Sequence, residues 1–549
     1  MPAAVEMIGS AAPANRRRGL AVIPIGLAAL FAGQCFWFIG TQSFTYDEGA
    51  HIIAGLDAWR RGRFEQWNDQ PPLGRLLLTA PLALTRPDRW QLENLGPSGA
   101  NFWTIAIRPD PLGLAWHTRP VNVALGLVLA VLLWATARRL FSEGAANLAL
   151  ALFACSPALI AHFSLATVDG LATVLCFAAA VAAASWRTHP SWWRTLGAGL
   201  LFGGFLVSKF SAPPLVLLAL GLMTMSGPSS ERASRGAKAA AAAVVSLTVV
   251  WATYHWHVGP VTFRNGSLAG PYARGQTVIV PVARRLNLTV ALPAPEFIAA
   301  LGGVAQHGVR GQPTFLMGEV KTSGGWRRYF PIVVLLKWPL TVWLFAGAAF
   351  TLLVTGRIDP PSEFKVLMLF PSVFFALATL TNLNLGDRYV LPVYPFLLLF
   401  CAALWNRARA GPAAMVLVLA LVGCQAADAF RYAPDYLSYF NVFVSSGESY
   451  RLLSDSNLDW GQGLLALREY ERVHPDSAIW LAYFGGVDPA SYAIRASTLG
   501  EHDRVRGTVV VSATHLSGQY LKNPAAYRWL LQYPRKTILN HTLHVFEVP

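Results

Sequence analysis

Residues 45–51 read Thr45-Tyr46-Asp47-Glu48-Gly49-Ala50-His51 and follow directly after the first membrane-length apolar segment, at about residues 19–40. Thr45 and Glu48 have the T-x-x-E spacing of a capping box, which predicts that a helix begins here. Glu48 then folds back on the helix start, and Asp47 is free to point elsewhere. Two adjacent carboxylates beside a hydrocarbon core are costly unless something uses them. We therefore expect Asp47 to be a general base in a cavity at the membrane surface; the alternative is that both acids only cap an interfacial helix.

The composition around this stretch indicates a helical membrane protein. The 549 residues are 54% hydrophobic and only 13% charged, which is far from the balance of soluble domains. Apolar runs of about 18–22 residues recur, and each is long enough to cross a bilayer. The formal charge of +15 does not indicate a nucleic-acid partner, because the Arg residues sit mainly in short loops between apolar runs. The five cysteines have neither metal nor disulfide spacing.

The pattern of apolar runs predicts about eleven transmembrane helices. They occupy about residues 19–40, 119–137, 145–163, 169–186, 195–209, 213–225, 239–256, 331–354, 365–381, 389–405 and 412–429. Arg-rich short loops alternate along the series, which predicts a cytoplasmic N-terminus. Residues 1–429 are thus the predicted transmembrane domain, with outer loops at 41–118 and 259–329.

The composition changes after about residue 430, where apolar runs shorten and tyrosines increase. Ala478–Tyr483 and Thr508–Ser512 are predicted to be short buried strands, and Leu464–Tyr470 is predicted to be a helix. Residues 430–549 are therefore predicted to form a soluble C-terminal α/β domain. An odd number of spans places this domain outside the membrane.

Charged and polar side chains recur at the predicted outer ends of the spans. The set comprises Asp47, Glu48, Arg75, His162, Asp169, Lys209, Lys337 and Arg388. A carboxylate can take a proton from a hydroxyl, and Lys and Arg can bind a phosphate and stabilise it as it leaves. The set as a whole fits group transfer from a lipid phosphate. Each member alone has another interpretation, because acids cap helices and lysines extend to lipid headgroups.

Two neighbours of Asp47, namely Tyr46 and His51, are further candidates for the same cavity. Asp47 and His51 are spaced i, i+4 on the predicted helix, so they could share either a divalent cation or a hydrogen bond. No P-loop, HExxH or G-x-S-x-G motif competes with this interpretation.

Six short motifs along the chain belong together. They are Thr45-Tyr46-Asp47-Glu48, Gln70-Pro71-Pro72-Leu73, Ala166-Thr167-Val168-Asp169, Val207-Ser208-Lys209, the segment from Gly386 to Pro395 that contains Arg388-Tyr389, and Asp455-Ser456-Asn457-Leu458-Asp459-Trp460-Gly461-Gln462. Jointly they resemble the integral-membrane glycosyltransferases of the GT-C class, and in particular its bacterial protein O-mannosyltransferase and aminoarabinose-transferase group. Gln70 departs from the family, which often has His at that position.

The resemblance implies an α-helical polytopic GT-C fold in a bacterial inner membrane. It implies transfer of a hexosyl or pentosyl group, with inversion, from a polyprenyl-phosphate-linked donor to a hydroxyl of a lipid, glycan or protein acceptor on the outer face. Asp47 would be the base, with Glu48 and Asp169 orienting the acceptor or assisting. Lys209 and Arg388 would hold the lipid phosphate.

The remaining cations of the set, Arg75 and Lys337, are further candidates for phosphate binding, and His162 is a further candidate for the cavity. No cofactor is strictly required, because Lys and Arg neutralise the departing phosphate, although a divalent cation is compatible with the chemistry. The alternative from another class is a non-catalytic membrane protein that binds or translocates polyprenyl lipids.

Overall fold

The computed structural model describes residues 14–64, 69–85, 88–98, 101–264, 267–269, 278–279 and 287–549, and this part of the chain is mostly helical. The first ten helices are α1 (Ala14–Thr41), α2 (Glu48–Arg61), α3 (Pro72–Thr85), α4 (Pro111–Leu140), α5 (Glu143–Ala154), α6 (Pro157–Phe163), α7 (Asp169–Thr188), α8 (Trp192–Leu206), α9 (Pro213–Met225) and α10 (Arg232–Thr253). The later helices are α11 (Pro295–Arg310), α12 (Tyr329–Lys337), α13 (Leu340–Val354), α14 (Ser362–Leu367), α15 (Leu369–Leu380), α16 (Tyr394–Ala402), α17 (Trp405–Ala408), α18 (Pro412–Arg431), α19 (Leu464–Val473) and α20 (Ala513–Ser517).

The strands lie between helices α3 and α12 and in the last part of the chain. They are β1 (Gln91–Ser98), β2 (Asn101–Arg108), β3 (Val258–Arg264), β4 (Ser267–Ala269), β5 (Val278–Ile279), β6 (Leu288–Pro293), β7 (Thr314–Leu316), β8 (Glu319–Lys321), β9 (Ile479–Ala482), β10 (Ser497–Thr498), β11 (Gly507–Ser512), β12 (Arg535–Leu539) and β13 (Leu543–Val548). Strands β1 and β2 form a hairpin, β3 to β6 form a sheet of order β5-β4-β3-β6, and β7 pairs with β8.

Within the described residues, seven helical segments are long and apolar enough to cross a membrane, or up to nine if each of two bent pairs forms one span. The α5–α6 pair bends by 67° and the α12–α13 pair by 109°. This confirms a helical protein with many candidate spans. The more exact count of about eleven is not confirmed.

The predicted spans at 195–209 and 213–225 account for the difference in count. They correspond to α8 and α9, which have 15 and 13 residues. At about 1.5 Å per residue, each is roughly 20 Å long, whereas the hydrocarbon core is about 30 Å thick. Pro213 and Pro214 stand at the start of α9, where proline is tolerated but cannot continue a preceding helix. The chain therefore turns at residues 207–212 and brings Lys209 to the end of α8.

The last part of the chain contains a five-stranded mixed sheet of order β10-β9-β11-β13-β12. Strands β9 and β11 lie where the sequence predicts strands, and α19 begins at the predicted Leu464. Strand β11 is almost entirely buried, which explains why its Val-rich run carries no alternation of polar residues. The division of the chain at residue 430 stays a prediction.

The C-terminal sheet packs directly on the segment that follows α1. One apolar cluster contains Phe44 and Ile105 from that segment together with Ile479 and Val510 from β9 and β11. The Ile105 N–H also donates to the Gly486 carbonyl at 2.9 Å. Residues far apart in the chain are thereby held against each other, with residues 45–51 between them.

Candidate active site

A cavity of about 440 Å³ lies where the ends of several helices meet the C-terminal part of the chain; we call it the central cavity. Charged side chains from six separate segments line it: Asp47, Asp169, Lys209, Arg388, Asp455 and Asp69. The first four belong to the set that the sequence predicts. Carboxylates and cations of the predicted set are therefore brought together in one partly open cavity.

Asp47 and Arg388 form an ion pair in the wall of this cavity. Nη1 of Arg388 donates to Oδ2 of Asp47 at 2.8 Å, and the Arg388 guanidinium lies 4.1 Å from the centre of the Trp460 ring. The Asp47 side chain is 24% exposed, against 3% for Asp169. Burial raises the pKa of Asp47, and Arg388 offsets part of this rise. Asp47 is thus a reachable carboxylate with a stronger proton affinity than usual.

Asp169 and Lys209 form a second, deeper pair. Asp169 is the first residue of α7, and its Oδ1 accepts a hydrogen bond from Nζ of Lys209. Its other carboxylate oxygen lies 4.0 Å from Nη1 of Arg388. The Lys209 ammonium also lies 4.6 Å from the centre of the Tyr389 ring. Asp169 therefore holds both cations at the same wall of the cavity.

Glu48 folds back on the helix start, as the capping-box spacing predicts. Its Oε2 accepts hydrogen bonds from the Thr45 N–H at 2.7 Å and from the Thr45 hydroxyl at 3.0 Å. Both carboxylate oxygens also accept from Arg119, each at 2.8 Å, and Oε1 accepts from the Ala166 N–H at 2.6 Å. Glu48 is fully buried and is not among the residues that line the central cavity. The expected contact between Glu48 and an acceptor is corrected: its carboxylate is saturated by structural partners.

The alternative interpretation, in which both acids only cap the helix, fits Glu48 but not Asp47. Asp47 is the residue before α2, yet its side chain makes no capping hydrogen bond. The side chains of the two neighbouring acids therefore point in different directions. Glu48 lies in the protein interior, and Asp47 faces the cavity.

His51 lines the central cavity, and Arg75 lies behind it. Nε of Arg75 donates to Nδ1 of His51 at 3.2 Å, and Nη2 donates to Asp69 at 2.9 Å. Burial and the Arg75 charge lower the pKa of His51 well below its ordinary value. Arg75 itself does not line the cavity, so the predicted direct phosphate contact is corrected to a contact with His51.

For Asp47 and His51 the sequence left open a shared divalent cation or a shared hydrogen bond. In the structure the side chain of each is instead hydrogen-bonded to an arginine. The described residues contain no group of three or more His, Cys, Asp or Glu side chains that could hold a metal ion.

Lys337 and His162 lie away from the central cavity, in contrast to the prediction. Nζ of Lys337 donates to the carbonyl oxygens of Leu437 at 2.9 Å and Asn457 at 2.5 Å. Nε2 of His162 pairs with Asp387 at 3.2 Å. Both side chains are almost fully buried, and they join helices to the segments that carry the cavity wall.

An aromatic and acidic wall completes the cavity, and the sequence reasoning did not assign it. It includes Phe102, Trp103, Asp455, Trp460, Phe484 and Tyr520. The hydroxyl of Tyr520 donates to Oδ2 of Asp455 at 2.7 Å. The predicted candidate Tyr46 lines the cavity and stacks on Phe484, with ring centres 5.0 Å apart. The D-S-N-L-D-W-G-Q motif was a signal for Asp455 and Trp460, whereas Tyr520 stands in no motif.

Gln70 also lines the central cavity. Its Oε1 atom is buried and has no hydrogen-bond partner among the described residues. A buried amide oxygen without a partner is costly, so this atom is suited to accept a hydrogen bond from a hydroxyl that enters the cavity.

Comparison with known proteins adds one sequence match and several structural similarities. The family model described as dolichyl-phosphate-mannose-protein mannosyltransferase matches residues 113–256. No curated protein sequence matches the chain. A similar solved structure is ArnT from Cupriavidus metallidurans in the apo state, with 14% identity, coverage of 97% of this chain and 98% of that chain, and a TM-score of 0.48.

Two further solved structures are similar at the same level. ArnT from Cupriavidus metallidurans bound to undecaprenyl phosphate has 12% identity over 96% of this chain and 98% of that chain, with a TM-score of 0.48. The archaeal oligosaccharyltransferase AglB from Archaeoglobus fulgidus, in complex with an inhibitory peptide and a dolichol-phosphate, has 9% identity over 91% of this chain and 70% of that chain, with a TM-score of 0.48.

The matched segment contains two of the charged residues of the central cavity, Asp169 and Lys209. It also contains Arg119, the partner of Glu48. The family match therefore falls on residues that build and support the site, and it confirms the resemblance of this chain to the integral-membrane glycosyltransferases of the GT-C class.

Proposed function

We propose that this chain is an inverting glycosyltransferase that moves a hexosyl or pentosyl group from a polyprenyl-phosphate donor to an acceptor hydroxyl. The reaction is proposed to take place on the outer face of a bacterial inner membrane. The observation that carries the proposal is the 2.8 Å pair of Asp47 and Arg388 in the central cavity, which Lys209 also lines. A base and two cations stand there within reach of one ligand.

Asp47 is the proposed general base. The acceptor hydroxyl gives its proton to the Asp47 carboxylate while its oxygen forms a bond to the anomeric carbon. A base works best when its pKa lies near the working pH, and burial raises the pKa of Asp47 in that direction. Because the acceptor attacks in a single displacement, the configuration at the anomeric carbon inverts.

Arg388 and Lys209 are the proposed phosphate ligands. The bond between the anomeric carbon and the phosphate oxygen breaks, and its electron pair leaves with the polyprenyl phosphate. Arg388 uses Nη1 for Asp47 and Nε for the Leu385 carbonyl. Its described hydrogen bonds do not include Nη2, which can therefore donate to a phosphate oxygen. Charge-assisted bonds of this kind stabilise the anion as it forms.

Asp169 is proposed to position the cations rather than the acceptor. Its carboxylate is 3% exposed and lies between Lys209 and Arg388. A buried anion at this place fixes both cations in the cavity wall and offsets their mutual repulsion. The acceptor, whether lipid, glycan or protein, then approaches from the side of Asp47.

Replacement of Asp47 by Asn tests the proposal. The purified protein is incubated with radiolabelled polyprenyl-phosphate sugars, and released polyprenyl phosphate and glycosylated acceptor are measured. Loss of a positioned base costs about 10²–10⁴-fold in rate, so Asp47→Asn should lose transfer by that factor. The matched control is Asp57→Asn in the same helix, where the carboxylate pairs with Arg61, and it should keep transfer.

The same assay separates the proposal from the alternative of a non-catalytic lipid-binding or lipid-translocating protein. A wild-type protein that binds the lipid-linked sugar but never releases polyprenyl phosphate would support that alternative. Undiminished transfer by Asp47→Asn would remove Asp47 from the reaction.

A further inference from the structure

A second cavity, of about 370 Å³, lies at the carboxyl ends of the parallel strands β9, β10 and β11; we call it the sheet-end cavity. The side chains used below are Asn101, Thr104, Asp488, Glu501, His515, Lys522 and Tyr527. From β9 the chain continues to β10 at one side of the sheet, and from β11 it continues to β12 at the other. A crevice where parallel strands send their connections in opposite directions is a common ligand site, and this volume is that of a small-molecule pocket.

Two buried polar side chains face this cavity without satisfied hydrogen bonds. His515 is 4% exposed and Thr104 is 7% exposed. Neither ring nitrogen of His515 has a hydrogen-bond partner of ordinary geometry among the described residues, although the Ala482 carbonyl lies beside the ring. The Thr104 hydroxyl also has no partner there. Such groups are costly to bury, and a ligand in the cavity would satisfy both.

The hydrogen-bond donors and acceptors of His515 and Thr104 favour a neutral ligand with hydroxyl groups. Burial lowers the pKa of His515 to about 4, so the ring is neutral at pH 7 and offers one donor and one acceptor. A threonine hydroxyl likewise donates and accepts. A ligand hydroxyl can complement either partner, whereas an anion could use only their donors.

Other charged and aromatic side chains that line the cavity also favour a neutral ligand. Two carboxylates, those of Asp488 and Glu501, line it together with one ammonium group, that of Lys522. The formal charge of these three groups is negative, which disfavours a phosphate. The ring of Tyr527 lies nearly parallel to that of His515, at 19° with ring centres 6.0 Å apart. Aromatic rings offer an apolar face, on which the C–H groups of a sugar ring can pack.

The sheet-end cavity and the central cavity share a wall. Along β2, Asn101 and Thr104 line the first, while Phe102 and Trp103 line the second. Gly485 donates its N–H to Oδ1 of Asn101 at 3.2 Å, which fixes the wall. A ligand in the sheet-end cavity would therefore lie one strand away from the proposed site of transfer.

We propose that the sheet-end cavity binds a neutral sugar ring, which His515 and Thr104 hold through its hydroxyl groups. That the ring is part of a glycan acceptor rests on the proposed function, whereas the binding of the ring does not. The cavity would then recognise one sugar of the acceptor while another part of the same molecule reaches Asp47.

Binding of simple glycosides to the full-length protein in detergent tests this proposal without any donor present. The probes are methyl α-D-mannopyranoside, methyl β-D-glucopyranoside and methyl β-D-galactopyranoside, followed by calorimetry and by saturation-transfer NMR. At least one probe should bind saturably. His515→Phe and Thr104→Val should each weaken this binding at least about tenfold, or about 1.4 kcal/mol. Thr104→Val keeps the shape of the side chain and guards against misfolding of the His515 variant.

Two matched controls and one competitor complete the design. His474→Phe and Thr537→Val lie outside both cavities and should bind as the wild type does. Polyprenyl phosphate should not displace the glycoside, and Asp47→Asn should not weaken its binding. Absence of binding by all three probes would overturn the proposal, as would binding that both cavity variants retain or that polyprenyl phosphate abolishes. Because no transfer is measured, loss of the proposed transferase activity would leave this result intact.

Discussion

The Asp47 carboxylate accepts a 2.8 Å hydrogen bond from Arg388, which stands 341 positions later in the chain. The proposed base is thus paired with a proposed phosphate ligand before any substrate is present. A phosphate that binds Arg388 would compete with Asp47 for the guanidinium and weaken the attraction between Arg388 and Asp47. On the proposed function, the carboxylate would then be more available to an acceptor proton, so that binding of the donor would promote activation of the acceptor.

The transfer rate should depend on pH through Asp47. Only the ionised carboxylate can accept a proton, so kcat/KM should rise with pH through the pKa of Asp47. Burial raises this pKa, so the rising limb should lie above the ordinary value of about 3.9. Initial rates across a pH series would measure it.

Asp455 is the control for this assignment, because burial also raises its pKa and it lines the same cavity. Asp455→Asn should keep the rising limb and move it slightly to lower pH, because the Asp455 charge contributes to the raised pKa of Asp47. A limb that disappears in this variant would assign the titration to Asp455 instead.

Glu48→Gln should destabilise the fold and leave donor affinity unchanged. The substitution removes the charge that compensates the fully buried Arg119, and breaking a buried pair in this way costs about 3–5 kcal/mol. Denaturant titration of the purified protein measures the loss, and binding of polyprenyl phosphate to the folded fraction measures the affinity.

The exposed pair of Glu469 and Arg472 provides the comparison for Glu48. Glu469→Gln should leave stability nearly unchanged, because exposed pairs are screened by water. A Glu48→Gln protein that is stable but binds the donor more weakly would show that Glu48 contributes to donor binding.

Removal of Lys209 should weaken binding of polyprenyl phosphate. Lys209→Met alone leaves the buried Asp169 with only its 4.0 Å contact to Arg388, so the informative variant is Lys209→Met with Asp169→Asn. This double variant should fold and should bind the lipid at least about tenfold more weakly, equivalent to about 1.4 kcal/mol. Unchanged affinity would exclude Lys209 as a phosphate ligand.

Lys337→Met should leave the affinity for polyprenyl phosphate at the wild-type level. The Lys337 ammonium bonds the carbonyl oxygens of Leu437 and Asn457 instead of facing the cavity. The cost should appear as lower stability, because two buried carbonyl groups lose a donor. A large loss of lipid affinity in a stably folded variant would contradict the geometry.

Local pattern was sufficient for part of this structure. The T-x-x-E spacing predicted how Glu48 folds back on Thr45, and both partners lie within one turn of chain. Apolar runs predicted β9 and β11 for the same reason, since burial of a short strand depends on its own composition. Family motifs also predicted that Asp47 and Arg388 belong to the site.

Contacts between distant segments were beyond such reasoning. Glu48 and Arg119 are 71 residues apart, so no spacing rule predicts that the Glu48 carboxylate forms a structural ion pair with Arg119. Lys337 has the charge and the helix-end position of a phosphate ligand, and only the fold shows that it turns toward backbone carbonyls. Tyr520 enters the cavity wall because the C-terminal sheet packs beside residues 45–51.

The packing of Trp460 on the Arg388 guanidinium has a consequence for biosynthesis. A ribosome translates all the candidate spans before it reaches residue 460. At that stage the nascent chain is in the bilayer, and its central cavity still lacks the wall to which Trp460 belongs. The Tyr46 N–H can donate to the Trp460 carbonyl only after that residue has been translated. On the proposed function, catalytic competence would therefore arise only in the closing phase of synthesis, and a chain that ends before residue 460 would enter the membrane without a complete site.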